Sequence, residues 1–199
     1  MAVVAEPVHH AREIQRPAIK IVPLQSLPII GLLLIGLIVA IGTNNRWALD
    51  AYHVVGGGLW TALDLFLGLV LGPILGTMSI PSRIELSSRL MPKLLVIMPT
   101  VVTMSLGSGF QVARQLGNLA PSSANHDWLV ASYAIVGVMA VIALGLLEPA
   151  NVAVLFELRR PKPNPARIQR LMKVFIYTAG VTGLMQIATL VIMTKVASG

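Results

Sequence analysis

Residues 22–42 read VPLQSLPIIGLLLIGLIVAIG, a stretch without a single charged side chain. A helix needs about 20 apolar residues to cross a hydrocarbon core about 30 Å thick. Lipid offers no water to backbone N–H and C=O groups, so a helix, which bonds within itself, is the expected form. Pro23 and Pro28 fall near the entry, where a helix tolerates proline. A signal peptide would have a shorter apolar region followed by a small-residue cleavage site. Here residues 1–20 form a polar segment before the stretch, and Thr43, Asn44, Asn45 and Arg46 follow it. It reads as a retained membrane anchor.

Working outward, four more apolar blocks of similar length follow, at about 50–76, 91–111, 128–150 and 171–196. The fourth can continue as helix to Leu158. The whole chain of 199 residues is 55% hydrophobic and 12% charged, with no cysteine. A soluble domain of this size has no core able to hide that much apolar surface. Barrel strands would read as alternating runs of about ten residues, and none is present. The expected fold is therefore all-α: a polytopic bundle of five transmembrane helices in one domain, 21–199, behind a tail, 1–20. Short connections make consecutive helices antiparallel neighbours. Without cysteine there are no disulfides, iron–sulfur clusters or thiolate metal sites.

Charge sets the orientation. Arg12, Arg16, Lys20, Arg83, Arg89, Lys93, Arg159, Arg160, Lys162, Arg167, Arg170 and Lys173 all fall on the side of the N-terminal tail, against Arg46, Arg114 and Lys195 on the other. Twelve against three predicts a cytoplasmic N-terminus and an external C-terminus. Trp47, Tyr52 and Trp128 then mark the outer boundary as an aromatic belt. The net charge of +7 is thus a topology signal, and nucleic acid is not an expected partner. Lipid is, in a bacterial or archaeal cytoplasmic membrane.

Gly68, Gly72 and Gly76 stand four apart and line one face of the second span with bare backbone, which lets another helix approach closely. Gly36 with Ala40, and Gly180 with Gly183, offer the same in spans one and five. Met104, Met139, Met185 and Met193 read as packing filler rather than metal ligands.

Polar side chains within spans are costly and attract functional readings. His53, Gly57, Trp60 and Asp64 share one helical face, with Asp64 about 16 Å deeper than His53. Asp64 reads as a buried hydrogen-bonding group or a proton relay. Glu148 falls at another depth, near the inner boundary, where Lys173 or the basic loop can neutralise it. At the outer end Asp50 and His53 open span two, while His126 and Asp127 open span four. If those helices adjoin, imidazoles and carboxylates converge there in a set suited to copper, zinc, iron or haem. The plainer alternative is two solvated helix starts, with the aspartates favoured by the helix dipoles. His9 and His10 fall on the tail and read as surface residues.

Residues 52–66, YHVVGGGLWTALDLF, resemble the histidine-plus-tryptophan helix of copper-resistance D (CopD)-like membrane proteins. HemJ-type protoporphyrinogen oxidases have a comparable helix. The resemblance extends through Gly72-Pro73 and residues 89–109, where those families carry an arginine, a Pro-Thr pair and a glycine. It covers about a third of the chain. It implies a helix bundle that handles copper or binds haem, with His53 as the carried-over ligand. The HemJ pattern also has a lysine within a later membrane helix, and no lysine here is clearly intramembrane. A second haem histidine would have to be His126, at a boundary. Porphyrinogen oxidation is therefore not expected.

The leading expectation is a non-catalytic accessory subunit of a larger membrane redox complex, of oxidase or monooxygenase type. A CopD-like copper- or haem-binding protein using His53 is the alternative, and proton or ion transport through Asp64 the third. No Ser–His–Asp pattern, phosphate-binding loop or carboxylate pair in a soluble cleft suggests catalysis by this chain alone.

Overall fold

The computed structural model describes Ile21 and residues 23–198. The polar tail expected over residues 1–20 lies outside the described residues. Five helices are long and apolar enough to cross a membrane: α1 Leu24–Gly42, α2 Arg46–Thr77, α3 Ile80–Gln115, α4 His126–Leu158 and α5 Pro165–Ser198. No strand occurs among the described residues.

The helices run farther than their apolar cores because polar caps extend them. α3 begins at Ile80 instead of near Met91: Ser79 is extended and its Oγ accepts from the backbone N–H of Ser82 at 3.4 Å. Pro81 sits in the first turn, where a missing N–H costs nothing. Pro81 thus helps to open the third span. α5 likewise starts early, its first N–H groups from Ala166 and Arg167 held by Asn164 Oδ1 at 3.0 and 3.2 Å.

Two helices widen midway. α2 forms a π-turn over Phe66–Leu71 just before Pro73, and α4 one over Ala143–Leu147 just before Pro149. Proline cannot donate to the preceding turn and its ring crowds the carbonyl there. Widening the turn absorbs both effects without ending the helix.

α2, α3, α4 and α5 form a ring in which α2 packs most extensively on α3, α4 on α5, and α5 back on α2. α1 lies outside the ring against α2 and α3. Its turn into α2 passes through Asn44 at φ 56° and is held by Gln115 Nε2, which donates to Asn44 Oδ1 at 2.7 Å and to its carbonyl at 3.1 Å. The outer ring contact between α3 and α4 is uneven: the half of α4 over Glu148–Leu158 packs on both α3 and α5, whereas the half over His126–Ile142 packs chiefly on α5. The bundle consequently gapes at the end carrying Trp47 and Trp128, called here the aromatic end. The opposite end, with Arg83, Arg89 and Arg159–Lys173, is the basic end.

Glycine sets the tightest crossing. A Cβ on Gly68 would fall 2.8 Å from the backbone N of Gly180, and one on Gly183 3.0 Å from the backbone N of Leu65. Bare backbone on both sides lets α2 and α5 touch where no hydrophobic effect drives helices together. Gly72 meets the Ile176 side chain, whereas Gly76 meets nothing within 4 Å among the described residues. At the third glycine of the row the two helices have separated.

Candidate functional site

The shared face of His53, Gly57, Trp60 and Asp64 points into the ring. Near the aromatic end it meets α3. Gly56 and Gly57 let α2 approach the backbone and hydroxyl of Ser105, and the His53 Nδ1 reaches the Ser105 carbonyl oxygen at 2.9 Å. A carbonyl only accepts, so Nδ1 carries the proton and donates it. The neutral ring is thereby fixed as the tautomer whose Nε2 keeps its lone pair. Gly109 makes room for the ring: a Cβ there would stand 2.5 Å from Nδ1 and 2.6 Å from Cε1.

His53 lines a cleft of about 310 Å³ where the ring gapes between α2 and α3 on one side and α4 and α5 on the other. Its walls are mostly apolar, with Ser105, Ser132, Thr61 and Gln186 supplying polar groups and Met193 a thioether. Such a cavity, apolar with a few convergent polar groups, is the common form of a small-molecule or cofactor site.

Beneath the cleft lies Asp64, fully buried. The α2–α5 crossing brings it against α5, where Thr182 Oγ1 and Gln186 Nε2 each donate to its Oδ2 at 2.9 Å. Thr182 and Gln186 are four apart and so share a helical face. Two buried acceptors in this cluster, Asp64 Oδ1 and Gln186 Oε1, have no well-aligned hydrogen-bond donor among the described residues, although the Trp60 indole lies beside the carboxylate. Among the described residues no cation pairs with Asp64.

The other expected outer residues are placed apart from this cleft. Asp50 pairs with Arg46 at 3.8 Å, both half-exposed, an interaction of little energy in such a setting. His126 opens α4 with its Nδ1 buried and unpartnered, and Asp127 follows it at an exposed position in the first turn. Among the described residues no three His, Asp or Glu side chains converge to hold a metal ion. The physical reason is topological: α2 and α4 sit diagonally across the ring, each packed mainly on α3 or α5. Glu148 is half-buried, with no ion pair among the described residues.

The buried acid of the basic end is instead Glu157. It takes the backbone N–H of Asn164 at 3.1 Å and faces the Nε atoms of Arg160 and Arg167 at 3.5 and 3.4 Å. It ties the turn between α4 and α5. Sequence reading missed it, although an acid closing the apolar run before Arg159 and Arg160 was the available signal. Met139 is fully buried in the core, as expected of packing filler, whereas Met193 borders the cleft.

The chain matches no family model, no curated protein and no solved structure.

Proposed function

We propose that the chain is a non-catalytic subunit of a larger membrane redox complex that holds a copper- or haem-type group at His53. The observation that carries this reading is the Nδ1 bond from His53 to the Ser105 carbonyl. A ligating histidine is ordinarily oriented by such a bond from its other nitrogen, which fixes the tautomer and strengthens the ligand. The donor set in the cleft fits the class of group. His53 supplies an imidazole nitrogen, and Met193 on the facing α5 supplies a thioether sulfur. Nitrogen with soft sulfur suits Cu(I), and the same donor types would suit haem iron. A bis-histidine or histidine–carboxylate centre fits less well, since His126, Asp50 and Asp127 do not join His53. When bound, such a group would supply one-electron transfer; the chain itself holds it, keeps water away with apolar walls, and sets the imidazole's orientation.

The positive-inside count supports an orientation with the cleft in the outer half of the membrane. Its opening between helix pairs favours a partner subunit or the bilayer, rather than water, as its neighbour.

The test is a visible absorption spectrum with metal analysis of detergent-purified protein. A Soret band or stoichiometric copper, lost in His53→Ala, supports the reading. A folded, colourless and metal-free protein, purified from membranes of its own cells, overturns it.

A second reading, proton exchange at Asp64, is favoured by one specific observation. Asp64 Oδ1 and Gln186 Oε1 are buried acceptors that meet no well-aligned donor among the described residues, with only the Trp60 indole beside the carboxylate, and a proton on Oδ1 adds a donor. Infrared difference spectroscopy should then show a protonated carboxyl C=O band that Asp64→Asn removes. Proteoliposomes should leak protons with wild-type protein and not with Asp64→Asn; equal fluxes exclude the reading.

A further inference from the structure

We infer that the groove between α2 and α5 at the basic end binds an anionic phospholipid, its phosphate at Arg83 and Lys173 and an acyl chain along α2. The inference stands apart from the His53 reading and from the other end of the bundle.

Its origin is the Gly68–Gly180 crossing. Once past that contact α2 and α5 separate, and a groove of about 280 Å³ remains between them. Its deep walls are Gly72, Met172 and Ile176, and its outer wall is formed partly by Ile80 and Tyr177, both exposed. Gly76 lines it with open space beside its Cα. In a membrane those exposed residues face acyl chains, so a lipid tail enters sideways without desolvating anything polar.

The mouth is charged. Arg83 is pinned in place, Nε donating to the Met78 carbonyl and a terminal nitrogen to the Gly76 carbonyl, each at 2.9 Å. A guanidinium has five N–H donors, so others stay available. Lys173 is exposed and makes no ion pair among the described residues. Ile80 and Pro165, the first residues of α3 and α5, both border the groove. The first N–H groups of both helices are already taken by Ser79 and Asn164, so the two helix N-termini add only their positive dipole ends to the two cations. Among the described residues no carboxylate lines the groove. An anion at the mouth joined to an apolar tail within is the chemistry of an acidic phospholipid, and basic pockets between helices near a membrane surface hold such headgroups.

The test is native mass spectrometry of the full chain released from detergent and titrated with phosphatidylglycerol or with phosphatidylcholine. One phosphatidylglycerol should stay bound per chain, in clear preference to phosphatidylcholine. Lys173→Gln, at an exposed and unpaired site, should weaken retention about fivefold, the effect of about one basic contact near a bilayer surface. Gly76→Leu should fill the groove and abolish one-to-one retention while thermal stability holds. Equal retention of both lipids overturns the inference. So does wild-type retention in both variants, or displacement of the lipid by inorganic phosphate alone, which would mark a site for the free anion.

Discussion

Gln186 Nε2 lies 2.9 Å from Asp64 Oδ2, joining α5 to α2 in the middle of the bundle. Thr182 adds a second bond of the same length to the same oxygen. Three side chains on two helices thus form one polar knot directly below the cleft, next to the glycine crossing. Loss of Thr182 by substitution with Val, a similar shape, should cost about 0.6 kcal/mol and at most about 1.7, as measured for interhelical bonds in lipid. Unfolding in mixed detergent checks this; a change near zero means the bond contributes nothing.

The crossing itself should be less forgiving than the bond. A methyl on Gly68 would stand 2.8 Å from the Gly180 backbone nitrogen, and backbone cannot move aside as a flexible side chain does. Gly68→Ala should therefore destabilise the protein by about 1–3 kcal/mol, the usual range for overpacking. Gly76→Ala, where nothing lies within 4 Å among the described residues, should leave stability unchanged or raise it. Thermal melts of the two variants side by side decide the point, and an equal response contradicts the assignment of the crossing.

Glu157 is buried while its partners Arg160 and Arg167 are more than half exposed. Removing the arginines singly should cost little, since solvent screens them. Glu157→Ala also strips the Asn164 N–H of its acceptor and should cost about 1.5–3 kcal/mol, the range for bonds to charged groups. The connection at 159–164 should then become the first site of limited proteolysis. Unchanged cleavage there would sink the idea that Glu157 secures the turn.

Gly109 is predicted to act through His53. A Cβ at 2.5 Å from Nδ1 must push the ring off the Ser105 carbonyl. Gly109→Ala should keep the fold but lose or shift the bound group's absorption, close to the effect of His53→Ala. A spectrum identical to wild type would show that the ring's position does not matter.

Much of this architecture was legible in the chain. The uncharged run 22–42 and its four counterparts suffice for the helix number, because bilayer thickness and backbone bonding leave few alternatives. The shared face of His53 and Asp64 followed from helical spacing alone. Helix ends were less readable: Ser79 and Asn164 act through local backbone geometry, so α3 and α5 begin in sequence that looks like loop. The partners of the site were least readable. Ser105 contributes a backbone carbonyl, which every residue has, and Thr182 and Gln186 become neighbours of Asp64 only after α5 closes on α2. The diagonal placement of α2 and α4, which separates His126 from His53, depends on packing order around the ring, and short loops do not specify that.

The measurement closest to the central claim is pulsed electron paramagnetic resonance of the oxidised, purified protein carrying ¹⁵N-labelled histidine. The account predicts one histidine coordinated through Nε2, with a weaker coupling from its protonated Nδ1, and both signals absent in His53→Ala. A paramagnetic centre without histidine nitrogen coupling, or one whose couplings persist in His53→Ala, contradicts it.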